Sequence, residues 1–251
     1  MEQKLSQKRS LDLSSAALHI MAMCFMLCDH LWATVIPGNQ WLTCIGRLTY
    51  PIYAFMIVEG YVHTSNFRRY AKRLLLFALI SEIPFNLMYS GSIISPFHQN
   101  VLWTLLMGLL AVHFNEKARQ SGKLWRRILI GALTLLFGYV LGFVLMTDYY
   151  GAGVLMVMAF YFFRGRKWWA LAGQFLSLWY LNTEVLGGLI FEFTLFGLDL
   201  SITQQGLALL ALIPIWLYRG RQGHRSKAFQ YFCYAFYPVH MLLLHLLRNL
   251  I

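Results

Sequence analysis

Charge is scarce in this chain of 251 residues: Asp, Glu, Lys and Arg together make up only 12% of it, about half the share of an ordinary soluble domain. With 59% hydrophobic residues and a mean hydropathy of +0.55, it has too little polar surface to cover a water-facing globule. A soluble enzyme, a disordered chain and a fibrous repeat are excluded. Acidic residues are the scarcer sign, ten against 21 Lys and Arg, which leaves a net charge of +11. That balance would suit a nucleic-acid partner, but the distribution of the basic residues has another cause, given below. Cysteine is limited to Cys24, Cys28, Cys44 and Cys233, all inside apolar stretches where a thiol packs as a small hydrophobe. There is no CxxC, no Walker A loop, no GxGxxG after a strand and no HExxH, and no metal is expected. Internal repeats, common in transporters, are also missing.

What is present is a series of apolar runs about as long as a bilayer is thick: 13–36, 41–62, 70–88, 100–114, 128–147, 149–163, 168–187, 201–218 and 229–250. Their continuity predicts an all-α, polytopic membrane helical bundle of about nine transmembrane helices. The first run is too long for the h-region of a signal peptide and is expected to be a retained span. Residues 184–200 fit either an extension of the seventh helix or a re-entrant piece. Basic residues occupy every second connection: 1–12, 63–73, 115–127, 164–167 and 219–227 hold 19 of the 21, and the opposite connections hold none. The positive-inside bias therefore puts the N-terminus in the cytoplasm and the C-terminus outside. The expected organisation is a basic cytoplasmic segment, 1–12, followed by a single transmembrane domain, 13–251, in the cytoplasmic (inner) membrane.

Ionisable groups inside such runs cost roughly 2.5–3.5 kcal/mol each and need a partner or a role. Counting about 1.5 Å per residue from each span midpoint, His30, Arg47, Glu82, Asn100 and His245 fall about 5–10 Å toward the outside, with His240 near the midplane. Helices one, two, three, four and nine thus converge on one outward layer, capped by Asp148-Tyr149-Tyr150-Gly151. This predicts a water-accessible cavity opening outward. His19, Met23, Met26 and His30 share a stripe of helix one. Asp29 projects about 100° from His30, toward a pairing with Arg47 across the short 37–40 loop. Pro84 and Pro238 each remove a helical hydrogen bond beside the layer. A neutral imidazole is suited to accept a proton near neutral pH, so His30 beside Asp29 is the leading catalytic or proton-handling candidate.

Several long, ordered motifs resemble the TraX family of F-pilin acetylation proteins. They are Ala22-Met23-x5-Asp29-His30, Gly46-Arg47-Leu48-x2-Pro51-Ile52-Tyr53-Ala54-Phe55 with Val58-Glu59-Gly60, and Arg73-Leu74-Leu75-x3-Leu79-Ile80-Ser81-Glu82-Ile83-Pro84-Phe85-Asn86. Asn100-Val101-x2-Thr104-Leu105, Asp148-Tyr149-x-Gly151-x-Gly153 and Phe236-Tyr237-Pro238-x-His240 carry the likeness to the last span. The resemblance implies a membrane acetyltransferase that takes acetyl groups from cytosolic acetyl-CoA and delivers them to an extracytoplasmic acceptor. The acceptor implied is a peptide or pilin-like N-terminal amine, with a glycan hydroxyl as the alternative acceptor and a proton-coupled transporter as the alternative class.

On that reading His30 is the general base or a transient acetyl carrier, Asp29 supports it, and Arg47 and Glu82 complete the catalytic group. Arg68, Arg69 and Lys72 would hold the CoA phosphates. Glu59, Asn100, Asp148, Tyr149, Tyr237 and His240 are expected around the acceptor.

Overall fold

In the computed structural model, which describes residues 12–195, 197–224 and 226–250, the chain is mostly helical. Lys4, Lys8 and Arg9 of the basic N-terminal segment, and Arg225 of the last basic cluster, lie outside the described residues. The helices run in the order α1 (Ser15–Thr34), α2 (Gln40–Gly46), α3 (Thr49–His63), α4 (Phe67–Ser90), α5 (Val101–Gln120), α6 (Leu124–Val144) and α7 (Tyr150–Phe162). After them come α8 (Trp168–Trp179), which continues as a π-helical turn (Tyr180–Leu186), then β1 (Ile190–Leu195) and β2 (Leu198–Thr203). A 3-10 turn (Gln204–Ala211) leads into α9 (Leu212–Leu217), and α10 (Lys227–Arg248) ends the fold.

Helix starts follow side chains that satisfy free backbone amides. Ser14, Asn66, Asn100 and Ser226 each accept a backbone N–H and open α1, α4, α5 and α10. Gly91, at φ +69°, stops α4 in a conformation that L side chains rarely adopt. The run expected as one helix over 41–62 is interrupted at Arg47–Leu48. Pro51 fits the break: it has no N–H for the carbonyl of Arg47 and its ring crowds that carbonyl, a loss that costs least in the first turn of a new helix. Pro84 and Pro238, by contrast, sit inside helices that continue through them.

The all-α expectation is corrected at 190–203. There β1 and β2 form an antiparallel hairpin registered from Ile190↔Thr203 to Leu195↔Leu198. Gly187 and Gly188, at positive φ, end the preceding helix, and Gly197 at φ +79° makes the turn. Leu198-Asp199-Leu200-Ser201-Ile202-Thr203 alternates apolar and polar residues with a period of two, which a helix cannot sort onto one face. For the same reason the expected helical run 201–218 begins as strand and becomes α-helical only from Leu212.

Among the described residues, Ser15–Thr34, Gln40–His63 and Leu124–Val144 are both long and apolar enough to cross a membrane by length and composition. Large hydrophobic side chains stand exposed along α4 (Leu76, Leu79, Ile83) and α6 (Ile128, Leu136, Phe137, Val144). An apolar surface of this extent is suited to lipid. The interior is built around α7, where every residue from Gly151 to Phe160 is buried except Leu155. Glycines bring α6 and α7 into contact. A Cβ on Gly151 would collide with the backbone of Tyr139, and one on Gly142 would lie 2.6 Å from the backbone nitrogen of Gly151. Small residues let helices approach this closely where lipid supplies no hydrophobic drive.

The Gly151→Ala variant is therefore expected to lose about 1–3 kcal/mol of stability through overpacking against rigid backbone. Gly131→Ala on α6 would meet only Asn115 Oδ1 at 3.6 Å and Phe162 Cζ at 3.8 Å. Thermal unfolding in detergent should show a lower melting temperature for the first and no loss for the second. Equal curves would refute the close-packing account.

Candidate active site

Asp29, near the C-terminal end of α1, makes no hydrogen bond to His30 among the described residues. It accepts hydrogen bonds from Arg47 Nη2 at 2.5 Å and from Thr43 Oγ1 at 2.7 Å, so the pairing expected across the 37–40 loop is present. The remaining bonds of Arg47 run from Nε to the carbonyl of Thr43 (3.2 Å), from Nη2 to Thr43 Oγ1 (3.0 Å) and from Nη1 to Gln205 Oε1 (3.2 Å). A guanidinium has five N–H donors; among the described residues four are engaged, and one on Nη1 remains. Gln205 passes the chain on, its Nε2 donating to Asn182 Oδ1 at 2.9 Å. Asn182 in turn donates to the carbonyl of Leu178 at 2.7 Å. Thr43, Gln205 and Asn182 are not among the residues expected from the sequence. The available signals are Thr43 four positions before Arg47 and a lone Gln-Gln pair heading an apolar run.

Close approach of α1 to α2 is possible because residue 46 is glycine: a Cβ there would overlap the Asp29 side chain.

His30 pairs instead with His240, brought to it by α10. His30 Nδ1 and His240 Nε2 are 2.7 Å apart, and both residues are more than nine-tenths buried. The ring planes lie within 5° of parallel with centres 4.9 Å apart. Parallel rings whose nitrogens approach to 2.7 Å cannot overlap face to face, so they meet edge to edge. His240 Nδ1 is 2.7 Å from the carbonyl of Phe236, and the Phe236 ring stacks on the imidazole at 4.6 Å.

A cavity of about 220 Å³ adjoins His30, which lines it together with Asp29, Arg47, Tyr89, Asp148, Tyr149 and Tyr237, whereas His240 stands behind His30 and does not line it. Tyr149, held at φ 61°, stacks on Tyr50 at 4.1 Å. Behind it lies an apolar chamber of about 260 Å³ that contains His19 and Met26 of the predicted α1 stripe. The two spaces share Met26, Tyr53, Val101 and Tyr237 as a common collar. The chamber in turn shares His19, Tyr70 and Tyr234 with a wide cleft of about 570 Å³ at the opposite end, where Glu59, His63, Arg73, His224 and Lys227 line the wall.

Other expected residues fall elsewhere. Glu82 is directed at α5, where its Oε2 accepts from Asn100 Nδ2 and, at 2.9 Å, from Trp103 Nε1; neither Glu82 nor Asn100 lines the His30 cavity. Glu59 sits in the wide cleft and accepts from Arg164 Nε at 2.9 Å. Arg68, Arg69 and Lys72 surround a shallow depression on α4 that is separate from the cleft; Arg73 lines both. Among the described residues, the His245 ring bonds Asn249, the residue that caps α10, at 3.2 Å.

The family model for the TraX protein matches residues 14–248, from the cap of α1 to the end of α10. The chain belongs to the TraX family. It is also 30% identical to the probable fimbrial assembly protein FimC, serogroup H1, of Dichelobacter nodosus, over 94% of this chain and 96% of that protein. No solved structure matches it. Apolar helices and TraX family membership together identify a membrane protein, and the matched span contains both imidazoles of the buried pair.

Beside the His30 cavity, which Asp148 and Tyr149 line, the loop before α5 is tied to the α6–α7 connection. Gln99 N donates to the carbonyl of Met146 at 2.9 Å, and Asp148 N to the carbonyl of Gln99 at 2.9 Å. His98 adds an ion pair, its Nε2 3.7 Å from Asp148 Oδ1. The Asp148 carboxylate is the main cause that raises the His98 pKa above its usual value, with Glu82 adding and burial opposing. A raised imidazole pKa stabilises the fold fully below the unfolded value, about 6.5, and that contribution fades as pH rises through the folded value. The melting temperature in detergent should therefore contain a component that falls as pH is raised above about 6.5, and His98→Gln should remove it. An unchanged pH profile in the variant would exclude the tie.

Proposed function

We propose that the protein acetylates an extracytoplasmic amine using cytosolic acetyl-CoA, as a bundle of nine membrane passes with its N-terminus inside, in the cytoplasmic membrane. The observation that carries this reading is the series of adjoining spaces from the basic cleft, through the apolar chamber, to the polar cavity at His30. An anionic donor with a long neutral arm and a thioester end suits that sequence of environments in that order. The relative's name, a probable fimbrial assembly protein, favours a pilin-like peptide amine over a glycan hydroxyl as acceptor.

In the cleft, Arg73 and Lys227 would meet the donor's phosphates. Arg73 is well placed to do so, because its guanidinium lies 5.7 Å from the Tyr234 ring centre and its buried Nε has no hydrogen-bond partner among the described residues. Arg brings a rigid fork of donors to phosphate. At the far end of the passage, the acceptor nitrogen bonds to the thioester carbonyl carbon while His30 Nε2 takes the proton that nitrogen sheds. The carbon–sulfur bond then breaks, and the departing CoA sulfur takes that proton back from His30. The products are an acetamide and CoA thiol, and the imidazole returns to its starting state. The free N–H on Arg47 Nη1 would face the oxyanion, a contribution that can reach roughly 10²–10³ in rate.

Two outcomes are expected with purified protein, labelled acetyl-CoA and a peptide bearing a free N-terminus. His30→Ala should lower turnover by about 10²–10⁴-fold, the usual worth of a general base. A variant that transfers label at the wild-type rate would remove His30 from the chemistry.

Arg73→Ala should raise KM for acetyl-CoA more than Arg68→Ala or Arg69→Ala does. The reverse ranking would move the donor's phosphates to the depression on α4.

A further inference from the structure

We infer that His240 is a positioning residue that fixes the tautomer of His30 and leaves the Nε2 lone pair of His30 free on the cavity. A carbonyl only accepts, so the 2.7 Å contact between His240 Nδ1 and the Phe236 carbonyl requires a proton on Nδ1. In a neutral imidazole the other nitrogen is then bare, which makes His240 Nε2 an acceptor. Its neighbour at 2.7 Å, His30 Nδ1, has to be the donor. The proton of a neutral His30 therefore sits on Nδ1, and its Nε2 carries a lone pair. That nitrogen makes no hydrogen bond among the described residues, and His30 lines the cavity shared with Arg47, Asp148 and Tyr149.

A free neutral histidine side chain favours the opposite tautomer, with Nε2 protonated and unable to accept a proton. His240 reverses that preference, and its own orientation is held by the Phe236 carbonyl and the Phe236 ring stacked on it. The second ring nitrogen of a histidine commonly sets the role of the first in this way. Asp29 does not play this part: its Oδ1 accepts from Arg47 and Thr43, and among the described residues it makes no hydrogen bond to His30. The pair spans 210 residues of chain, so it also fastens α10 to α1 beside the collar residue Tyr237.

The kinetic part of this inference rests on the proposed transferase reading; the tautomer itself does not. Nitrogen-15 spectra of histidine-labelled protein in lipid nanodiscs, with the His30 signals assigned by loss in His30→Gln, read the tautomer directly. Wild type should show a protonated Nδ1 and a bare Nε2. His240→Gln presents an amide oxygen where Nε2 stood and should retain that state. His240→Leu, which fills the space without an acceptor, should shift the tautomer ratio by about fivefold to tenfold, the bias one net hydrogen bond supports. Carbethoxylation of His30 by diethyl pyrocarbonate, mapped by mass spectrometry, should fall in the same variant and persist in His240→Gln. In the transfer assay, His240→Leu should lower kcat with KM for acetyl-CoA unchanged, and His240→Gln should restore it. A protonated Nε2 in the wild-type spectrum overturns the inference even if no variant folds. Wild-type kcat in His240→Leu overturns it while leaving the transferase reading standing. Absence of transfer by the wild type removes that reading and leaves the tautomer result in force.

Discussion

An ionised side chain inside an apolar bundle has to be answered by a group on another helix, and the Asp29–Arg47 pair shows how far that requirement reaches into this fold. Removing one partner of such a pair leaves a charge stranded in surroundings that shield it from most solvent, since both side chains are largely covered. Arg47 brings together α1 through Asp29, α2 through Thr43 and the 3-10 turn through Gln205. Gln205 then reaches the π-helical turn through Asn182. The break at Arg47–Leu48 belongs to the same arrangement. Pro51 sits in the first turn of the restarted helix, and the guanidinium leaves the chain where two helices meet rather than from the side of a regular one. Asp29 faces Arg47, and the hydrogen bond of His30 comes instead from α10.

Depth along a helix is legible in a sequence; azimuth relative to neighbours is not. Counting from span midpoints puts His30, Arg47 and Glu82 in one outward layer. The structure brings His30 and Arg47 to one cavity but turns Glu82 toward Asn100 and Trp103 on α5. The stripe His19-Met23-Met26-His30 is readable because helical periodicity alone fixes it, and two of its members line the inner chamber. The partnership of His30 with His240 is not readable, since nothing local says that the first and last helices are neighbours. The Asp29–Arg47 pairing can be anticipated only because a four-residue loop leaves two antiparallel helices little choice. The hairpin is a different case. Its alternation is plain in Leu198–Thr203, but a short apolar stretch beside long helical runs is easily absorbed into them.

The polarity of the spaces follows the asymmetry of the connections. Arg73 and Lys227 line the wide cleft on the side where basic residues cluster, whereas Asp148 lines the His30 cavity, beside connections without Lys or Arg. Between them, Met26, Tyr53, Val101 and Tyr237 form the collar. Met26, Val101 and the faces of the two phenol rings make this collar the least polar part of the passage. On the proposed reading this lets one protein open toward both sides without a continuous wet path. A neutral thioester arm would displace little ordered water on entering an apolar chamber, while its phosphates stay with the basic residues they need. His30 then meets the donor's reactive end just beyond the collar, with its lone pair on the acceptor's side. On that reading the imidazole pair does two jobs: it joins α1 to α10, and it orients His30 Nε2 toward the polar cavity.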